Sequence, residues 1–319
     1  HGWYSEETIP RAARINIELI SMGMRLGASL YESKVIRMHT GIIGAGKVGC
    51  SLAKYFVLHG LSLSGFFDAD KKAASTAADF AGTDFEEKLE DLVRKSDALF
   101  LTVPDGLITT VWNQIRELPI EGKYICHCSG ALSAEDAFPG IADRGAFGYS
   151  IHPLFAVSDR FHSYKELSDA YFTIEGDKRH IEEVRDLFQS FGNPVRLIEA
   201  EDKVKYHCAA SICSNQVIAL IQESLDLLGD CGFDEESALA ALRPLISGNV
   251  NKVLASGCAA SLTGPVERGD VRTVQKHLDC LDEEDRKLYA LLSRKLLSVA
   301  GRKNPDRNYG ELEALLREM

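Results

Sequence analysis

Apolar positions in the first two thirds of the chain follow two alternating patterns. Short apolar runs, which predict buried strands, occupy 40–44, 61–67, 98–103, 124–128, 146–151, 171–175 and 195–198. Segments with apolar residues every three or four positions, which predict helices, occupy 47–59, 71–80, 86–94, 108–117 and 179–191. Strands that alternate with helices in this way predict a mostly parallel, doubly wound sheet with helices on its faces.

After about residue 199 the strand pattern ends and only helical periodicity remains. The helices predicted there are 201–229, 235–255, 270–280, 283–300 and 309–318. The sequence therefore predicts an α/β domain over 38–199, followed by an all-α domain over 200–319 that carries substrate and dimer contacts. Residues 1–37 form an N-terminal extension in this interpretation, because Met38 is followed two residues later by the first predicted strand.

A glycine-rich turn joins the first predicted strand to the first predicted helix. It reads Gly44-Ala45-Gly46-Lys47-Val48-Gly49, which is the G-x-G-x-x-G pattern. Gly44 allows the tight turn, Gly46 lets the backbone approach a pyrophosphate, and Gly49 permits close packing of helix on sheet. The following helix N-terminus offers free N–H groups and a partial positive charge to the phosphates. We therefore predict a Rossmann domain that binds a nicotinamide dinucleotide, the alternative being a glycine-rich turn of another α/β fold.

An acidic residue follows at the spacing expected for ribose recognition. Asp68 closes the second predicted strand, 19 residues after Gly49. A carboxylate there receives the adenosine ribose hydroxyls and repels a 2′-phosphate, so the sequence favours NAD over NADP. A helix cap is the alternative role for Asp68, although Asp70 is the better cap candidate. Lys71 and Lys72 could reach a phosphate and leave NADP open.

Three predicted strand ends carry residues suited to a ligand site. They are Val103-Pro104, Ser129-Gly130 and His152-Pro153. In open α/β sheets ligands sit beyond the carboxyl ends of the strands, so we expect Val103, Pro104 and Ser129 to meet the cofactor. A histidine beside a nicotinamide can polarise a carbonyl or take a proton. We expect His152 to do so, the alternative being a turn histidine with satisfied hydrogen bonds.

The helix predicted to begin near residue 201 carries a polar stripe. Its members are Lys203, His207, Ser211, Ser214 and Asn215, and at about 100° per residue they share one side of the helix. The rest of this helix is small and apolar, and solvated faces usually carry longer charged residues. A buried lysine is costly unless it is paired or works as acid, base or anion ligand. The stripe therefore predicts a reactive surface, the alternative being a partly exposed lysine at a helix start.

Six motifs in this order resemble a family that pairs a Rossmann-like domain with a helical domain of unknown function. They are Gly44–Gly49, Thr102–Asp105, His127–Leu132, Ile151–Leu154, Lys203–Asn215 and Leu262–Asp270. The resemblance covers residues 38 to about 300. Members of the family are described as NAD(P)-dependent oxidoreductases, so the resemblance implies hydride transfer.

More distantly, the layout is similar to β-hydroxyacid dehydrogenases and pyrroline-carboxylate reductases. In the former a catalytic lysine is followed four residues later by asparagine, whereas here Lys203 is followed by His207. His152-Pro153 resembles the His-Pro of prephenate dehydrogenases, in which the histidine assists hydride transfer. These resemblances imply Lys203 as general acid/base, with His152 or His207 orienting a small polar substrate that bears a carboxylate. A dinucleotide-binding sensor without turnover is the alternative.

The last motif, Thr263 to Asp270, allows two interpretations. Asp270 can cap the helix that follows, with glycine and proline as helix breakers. Alternatively, the loop carries Arg268 toward a substrate carboxylate, because a guanidinium group can donate two parallel hydrogen bonds to a carboxylate. The substrate could then belong to the same chain or lie across a dimer interface. Ser129, Ser211 and Asn215 are the other expected substrate contacts.

Composition narrows the classes of partner. The formal charge of −11 and the pI near 5.4 argue against nucleic acid, which requires a surplus of basic residues. No apolar run is long enough for a membrane span, and no signal peptide pattern is visible. The eight cysteines are scattered, and Cys126-His127-Cys128 has no second ligand pair, so we expect reduced cysteines, no metal and a cytoplasmic protein. Related two-domain dehydrogenases pair through their helical domains, which predicts a homodimer through 200–319.

Overall fold

A computed structural model describes residues 38–317 of the chain. The predicted extension at 1–37 lies outside the described residues. The chain divides into two compact units, the first ending at Gln216 and the second beginning at Val217. The domain boundary near residue 199 and the roles assigned to the two domains stay predictions.

Seven strands form one sheet in the order β2-β1-β3-β4-β5-β6-β7. They are β1 His39–Ile43, β2 Ser62–Phe67, β3 Ala98–Leu101, β4 Tyr124–His127, β5 Phe147–Leu154, β6 Tyr171–Gly176 and β7 Val195–Leu197. All neighbours pair in parallel except β5 and β6, which are antiparallel. The predicted mostly parallel sheet is confirmed. The chain turns to opposite sides of β1 to form β2 and β3, so the crevice for a ligand opens beyond the carboxyl ends of β1 and β3.

Helices cover both faces of this sheet. Those of the first unit are α1 Lys47–Leu58, α2 Lys71–Ala81, α3 Leu89–Lys95, α4 Asp105–Ile115, α5 Ala134–Ala137, α6 Ile181–Ser190 and α7 Lys203–Ser211. Alternate residues of β3 enter opposite cores: Phe100 packs with Phe56 and Phe188, and Leu101 packs with Trp112 and Phe138. Both faces of the central strands are therefore buried, as a parallel sheet requires.

Three predicted boundaries need correction. β5 does not end at Ile151 but continues to Leu154, because its last residues pair with β6 on one side. His152 therefore lies within a strand, opposite Thr173, rather than beyond a strand end. β3 ends at Leu101, which leaves Val103 and Pro104 in the connection to α4. The single helix predicted over 201–229 is interrupted by a π-helical segment, Ile212–Gln216, between two α-helices.

The second unit is helical throughout its described residues, as predicted. Its helices are α8 Val217–Asp230, α9 Glu235–Ser261, α10 Pro265–Arg268, α11 Val271–Cys280, α12 Glu283–Lys303 and α13 Gly310–Arg317. Asp270 caps α11, because its Oδ1 accepts a 3.0 Å hydrogen bond from the Thr273 N–H. The capping interpretation of Asp270 is therefore correct. Among the helices of the described range, none combines the length and apolar composition needed to cross a bilayer.

Candidate active site

The glycine-rich turn after β1 has a backbone that only glycines accommodate at two positions. Gly44 has a φ of +104°, and a Cβ there would lie 2.8 Å from the Thr102 carbonyl oxygen. A Cβ on Gly49 would lie 2.1 Å from the Gly44 carbonyl oxygen and 2.5 Å from Thr102 Oγ1. The Thr102 hydroxyl itself donates to the Ile43 and Gly44 carbonyl oxygens and ties the turn to the end of β3.

The third glycine of the motif faces open space. A Cβ on Gly46 would meet nothing within 4 Å, and Gly46 is the N-cap of α1 with no side-chain hydrogen bond to the helix. The first N–H groups of α1 therefore have no side-chain acceptor. Lys47 is exposed and Val48 half-buried on the same turn. An open backbone at an uncapped helix N-terminus fits the pyrophosphate of a dinucleotide.

Asp68 stands against this turn at the end of β2. Its Oδ2 accepts a 2.7 Å hydrogen bond from the Ala45 N–H, and its Oδ1 accepts one of 2.9 Å from the Asp70 N–H. The cap of α2 is Asp70, which accepts from the Lys72 and Ala73 N–H groups. The carboxylate of Asp68 is thus held beside the glycine-rich turn and has no role in capping α2.

A second loop, which we call the Ser129 loop (residues 129–132), follows β4 at the same edge of the sheet. The Ser129 hydroxyl donates to Asp105 Oδ2 at 2.7 Å and accepts from the N–H groups of Ala131 and Leu132. Ser129 is buried. Its hydroxyl holds the loop in shape, so a direct contact of this hydroxyl with a ligand would require these bonds to exchange. Between the two loops, Val103 lies against Gly44.

Lys203, the first residue of α7, extends its buried side chain to the Ser129 loop. Its side chain is 1% exposed, and its Nζ donates to the Ser129 carbonyl oxygen at 2.9 Å and to Ser150 Oγ. Burial lowers its pKa to about 8, although the charges of Glu175, Cys128 and Asp105 oppose the shift. The amine is therefore mostly protonated at neutral pH and can release its proton only slightly above it.

Two imidazoles meet at Gly130. A Cβ there would lie 2.6 Å from His207 Cδ2 and 2.9 Å from His152 Nε2, so a glycine leaves room for both rings. Burial, together with the charges of Lys203 and His207, lowers the pKa of His152 to about 4. His152 is consequently neutral at physiological pH. The structure therefore brings Lys203, His152 and His207 to Ser129 and Gly130, and their catalytic roles stay predictions.

The remaining members of the predicted stripe are placed differently. Ser211 is half-buried at the end of α7, while Asn215 is exposed in the π-helical segment and accepts from Ser214 Oγ. The i→i+5 bonding of a π-helix rotates later residues away from their α-helical positions. The stripe therefore divides into a buried lysine and a more exposed end. Arg268 belongs to the second unit, where its guanidinium is 60% exposed and 4.0 Å from Asp270.

The structure adds three residues to which the sequence assigned no role in the site. The Tyr206 hydroxyl is 2.8 Å from His152 Nδ1, and Ser150 accepts from Lys203. His127 is fully buried, and its Nδ1 accepts from the Ser129 N–H at 3.1 Å. Burial, and to a smaller extent the charge of Lys203, lowers the pKa of His127 to about 3. The spacing Lys-x-x-Tyr-His at 203–207 could have indicated Tyr206, since i and i+3 share a helix face.

Family models match both parts of the chain. Residues 24–153 match a Rossmann-like domain, and residues 170–296 match the domain of unknown function DUF2520. The fold and the glycine-rich turn together define a Rossmann-like protein whose first loop has the G-x-G-x-x-G pattern. More particularly, the chain combines a Rossmann-like domain with a DUF2520 domain, which confirms the predicted resemblance.

Solved structures share this fold over most of the chain. Protein TM1727 from Thermotoga maritima has a TM-score of 0.65 and 28% identity, covering 83% of this chain and 99% of that one. Pyrroline carboxylate reductase from Plasmodium falciparum, solved with NADP bound, has a TM-score of 0.54 and 16% sequence identity. The match covers 84% of this chain and 97% of that one. An imine reductase from Myxococcus stipitatus, in complex with NADP+, has a TM-score of 0.55 and 17% sequence identity. The match covers 83% of this chain and 93% of that one. Among curated proteins nothing matches this chain.

Proposed function

We propose that the protein is an NAD(P)-dependent oxidoreductase that transfers a hydride to or from a small polar substrate bearing a carboxylate. The observation that carries the proposal is the grouping of Lys203, His152 and His207 around the Ser129 loop. This loop and the glycine-rich turn follow parallel strands of one sheet, so both lie at its carboxyl edge. Two structures of similar fold were solved with NADP or NADP+, which supports a nicotinamide cofactor.

The chain would supply proton chemistry and orientation. The glycine-rich turn at 44–49 would hold the pyrophosphate of the dinucleotide and Asp68 its adenosine ribose, and the nicotinamide would supply or accept the hydride. Lys203 Nζ holds the proton that accompanies reduction, or takes it up in oxidation, because its pKa of about 8 is close to neutrality. Neutral His152 orients the reacting group by hydrogen bonding, and His207 closes the other side of Gly130.

The substrate contacts remain those assigned from the sequence motifs. We propose that Ser211, Asn215 and Arg268 contact the substrate, with Arg268 receiving its carboxylate. Ser129 contributes through the loop that it holds, since its hydroxyl bonds Asp105 and two backbone N–H groups.

The direct test is turnover with a panel of small 2-oxo acids, cyclic imino acids and their reduced forms, followed by the absorbance of NADH. Turnover that falls when His152 is replaced by alanine supports the proposal. Tight binding of dinucleotide with no turnover on any panel member contradicts it and favours the sensor function.

The cofactor preference follows from Asp68. We expect NADH to bind at least about tenfold more tightly than NADPH, since a hydrogen bond to a charged group contributes about 1.5–3 kcal/mol and a 2′-phosphate would meet a carboxylate. Asp68→Ala should narrow the difference. Asp79→Ala, which removes an exposed carboxylate from α2, is the matched control and should leave the ratio unchanged. Isothermal titration with both cofactors measures this, and equal or tighter NADPH binding by the unmodified protein would refute the preference.

We also propose that the second unit forms a homodimer. α9 has 27 residues, of which only Ala238 and Ser261 are buried. Apolar surface in water costs about 25 cal/mol per Å², and a second copy of the chain would cover it. Large apolar side chains are exposed on three helices of this unit: Ile218 at 69%, Leu245 at 60%, Leu254 at 80% and Leu291 at 53%.

Light scattering tests the dimer directly. At micromolar concentration the protein should have twice the 35.1 kDa chain mass. The double variant Leu245→Glu, Leu254→Glu should be monomeric, because burying two unpaired carboxylates at an interface is strongly unfavourable. Leu58→Glu, at a leucine of α1 that is 61% exposed, is the control and should stay dimeric. A monomeric unmodified protein would disprove the assembly.

A further inference from the structure

Tyr206 and His152 form a side-chain pair at the proposed site. The Tyr206 hydroxyl lies 2.8 Å from His152 Nδ1, and the two rings are nearly perpendicular, at 85° with centroids 5.5 Å apart. Thr173 lies directly opposite His152 in the antiparallel pairing of β5 with β6. Its hydroxyl donates a 3.5 Å hydrogen bond to the His152 carbonyl oxygen. The Nδ1 atom of His152 is therefore approached by one hydroxyl, that of Tyr206, which comes from a different element.

The direction of the hydrogen bond follows from the protons that each group holds. Burial raises the pKa of Tyr206, so the phenol keeps its proton at physiological pH. His152 is neutral there and carries one N–H. The phenol can therefore donate its proton to His152 Nδ1, which then accepts. The ring proton of His152 must in that case lie on Nε2.

His152 Nε2 faces the loop after β4. It lies 2.9 Å from the point that a Cβ on Gly130 would occupy, and the absence of a side chain at Gly130 leaves this edge of the ring uncovered by that residue. The proposed carrier of the reacting proton, Lys203, bonds the neighbouring carbonyl of Ser129. A group that enters beside Gly130 would thus meet a neutral N–H donor from His152.

We propose that Tyr206 is a positioning residue that holds His152 in the Nε2–H tautomer, so that His152 donates a hydrogen bond to an acceptor atom of the substrate. The substrate half of this statement rests on the proposed function. The acceptor is a carbonyl or carboxylate oxygen, because a protonated nitrogen could not accept from the Nε2–H. His152 polarises the reacting group and leaves the proton transfer to Lys203.

The experiment compares Tyr206→Phe with a matched variant elsewhere in the chain. Tyr289 and His277 form the same kind of pair in the second unit, with the hydroxyl 2.7 Å from Nδ1, ring centroids 5.5 Å apart and the rings at 87°. Tyr289→Phe therefore removes the same hydrogen bond outside the proposed site. The tautomer is read by long-range ¹H–¹⁵N NMR of the histidine rings, with the His152 signals identified by their loss in His152→Asn.

The unmodified protein should show His152 as the Nε2–H tautomer. Tyr206→Phe should populate both tautomers at His152 and lower kcat by about 10–100-fold, as expected for a misplaced catalytic group, with dinucleotide affinity retained. Tyr289→Phe should change the His277 signals alone and leave kcat unaltered.

An Nδ1–H tautomer at His152 in the unmodified protein, or an unchanged tautomer in Tyr206→Phe, would overturn the proposal. Unchanged kcat in a Tyr206→Phe protein whose tautomer has shifted would also overturn it. The NMR measurement needs no turnover. It therefore still decides the tautomer if the oxidoreductase proposal fails in the substrate panel.

Discussion

Replacing Lys203 with alanine should lower turnover by about 10²–10⁴-fold, the usual contribution of a general acid or base, and leave dinucleotide affinity nearly intact. The buried amine donates hydrogen bonds to the Ser129 carbonyl oxygen and to Ser150 Oγ, and neither acceptor belongs to the glycine-rich turn. Lys203→Met keeps most of the buried stem and should show the same loss with a stable fold. Lys205→Met, at an exposed lysine two residues along α7, is the control and should keep full activity.

The pH profile makes this prediction more specific. The pKa of Lys203 is lowered from its ordinary value of 10.5 to about 8. The protonated form is the acid in reduction, so the rate of reduction should fall as the pH rises through about 8. The rate of oxidation should rise over the same range, because the neutral amine is the base. Neither pH dependence should remain in Lys203→Met. If Lys203→Met keeps both the turnover rate and its pH dependence, Lys203 is excluded as the proton carrier.

The second large effect is expected in the glycine-rich turn. Replacing Gly49 with alanine should reduce both stability and dinucleotide binding, whereas replacing Gly46 should reduce binding alone. A methyl group on Gly49 would collide with the Gly44 carbonyl oxygen at 2.1 Å, so Gly49→Ala should destabilise the fold by about 1–3 kcal/mol. The displaced backbone should also weaken dinucleotide binding by about 100-fold. Gly46→Ala meets no atom within 4 Å, so the fold should remain stable while the methyl group obstructs the pyrophosphate.

Thermal unfolding and cofactor titration of the two variants separate these effects. Gly229→Ala, at an exposed glycine of α8 with no neighbour within 4 Å, is the control and should change neither quantity adversely. Gly49→Ala with unaltered stability would contradict the packing of the turn. Gly46→Ala with unaltered NADH affinity would contradict the position of the pyrophosphate.

The sequence was sufficient for the architecture because its signals are local. Hydrophobic periodicity predicted all seven strands, and the G-x-G-x-x-G spacing predicted the turn after β1. The antiparallel pairing of β5 with β6 has no local signature, and it lengthens β5 past Pro153, a residue that usually ends a ladder. The sequence consequently placed His152 beyond the strand.

The site was predictable only as a set of residues on the right elements. Helical spacing put Lys203 and His207 on one face, but it could not reveal that Lys203 is buried against Ser150 or that Tyr206 bonds His152. These contacts join residues more than 50 positions apart, and a periodicity holds no information on such pairs. The π-helical segment at 212–216 likewise moved Asn215 off the predicted stripe, since its hydrogen bonding departs from the 3.6-residue period.

A crystal structure of the protein with NAD+ would show where the dinucleotide binds. The pyrophosphate should lie at the Gly46 backbone and the N-terminus of α1, with the adenosine ribose hydroxyls on Asp68. The nicotinamide should lie beside the Ser129 loop, with its C4 atom facing the space next to Gly130 and His152. A dinucleotide bound elsewhere, or a nicotinamide turned to solvent away from Gly130, would refute the proposed site.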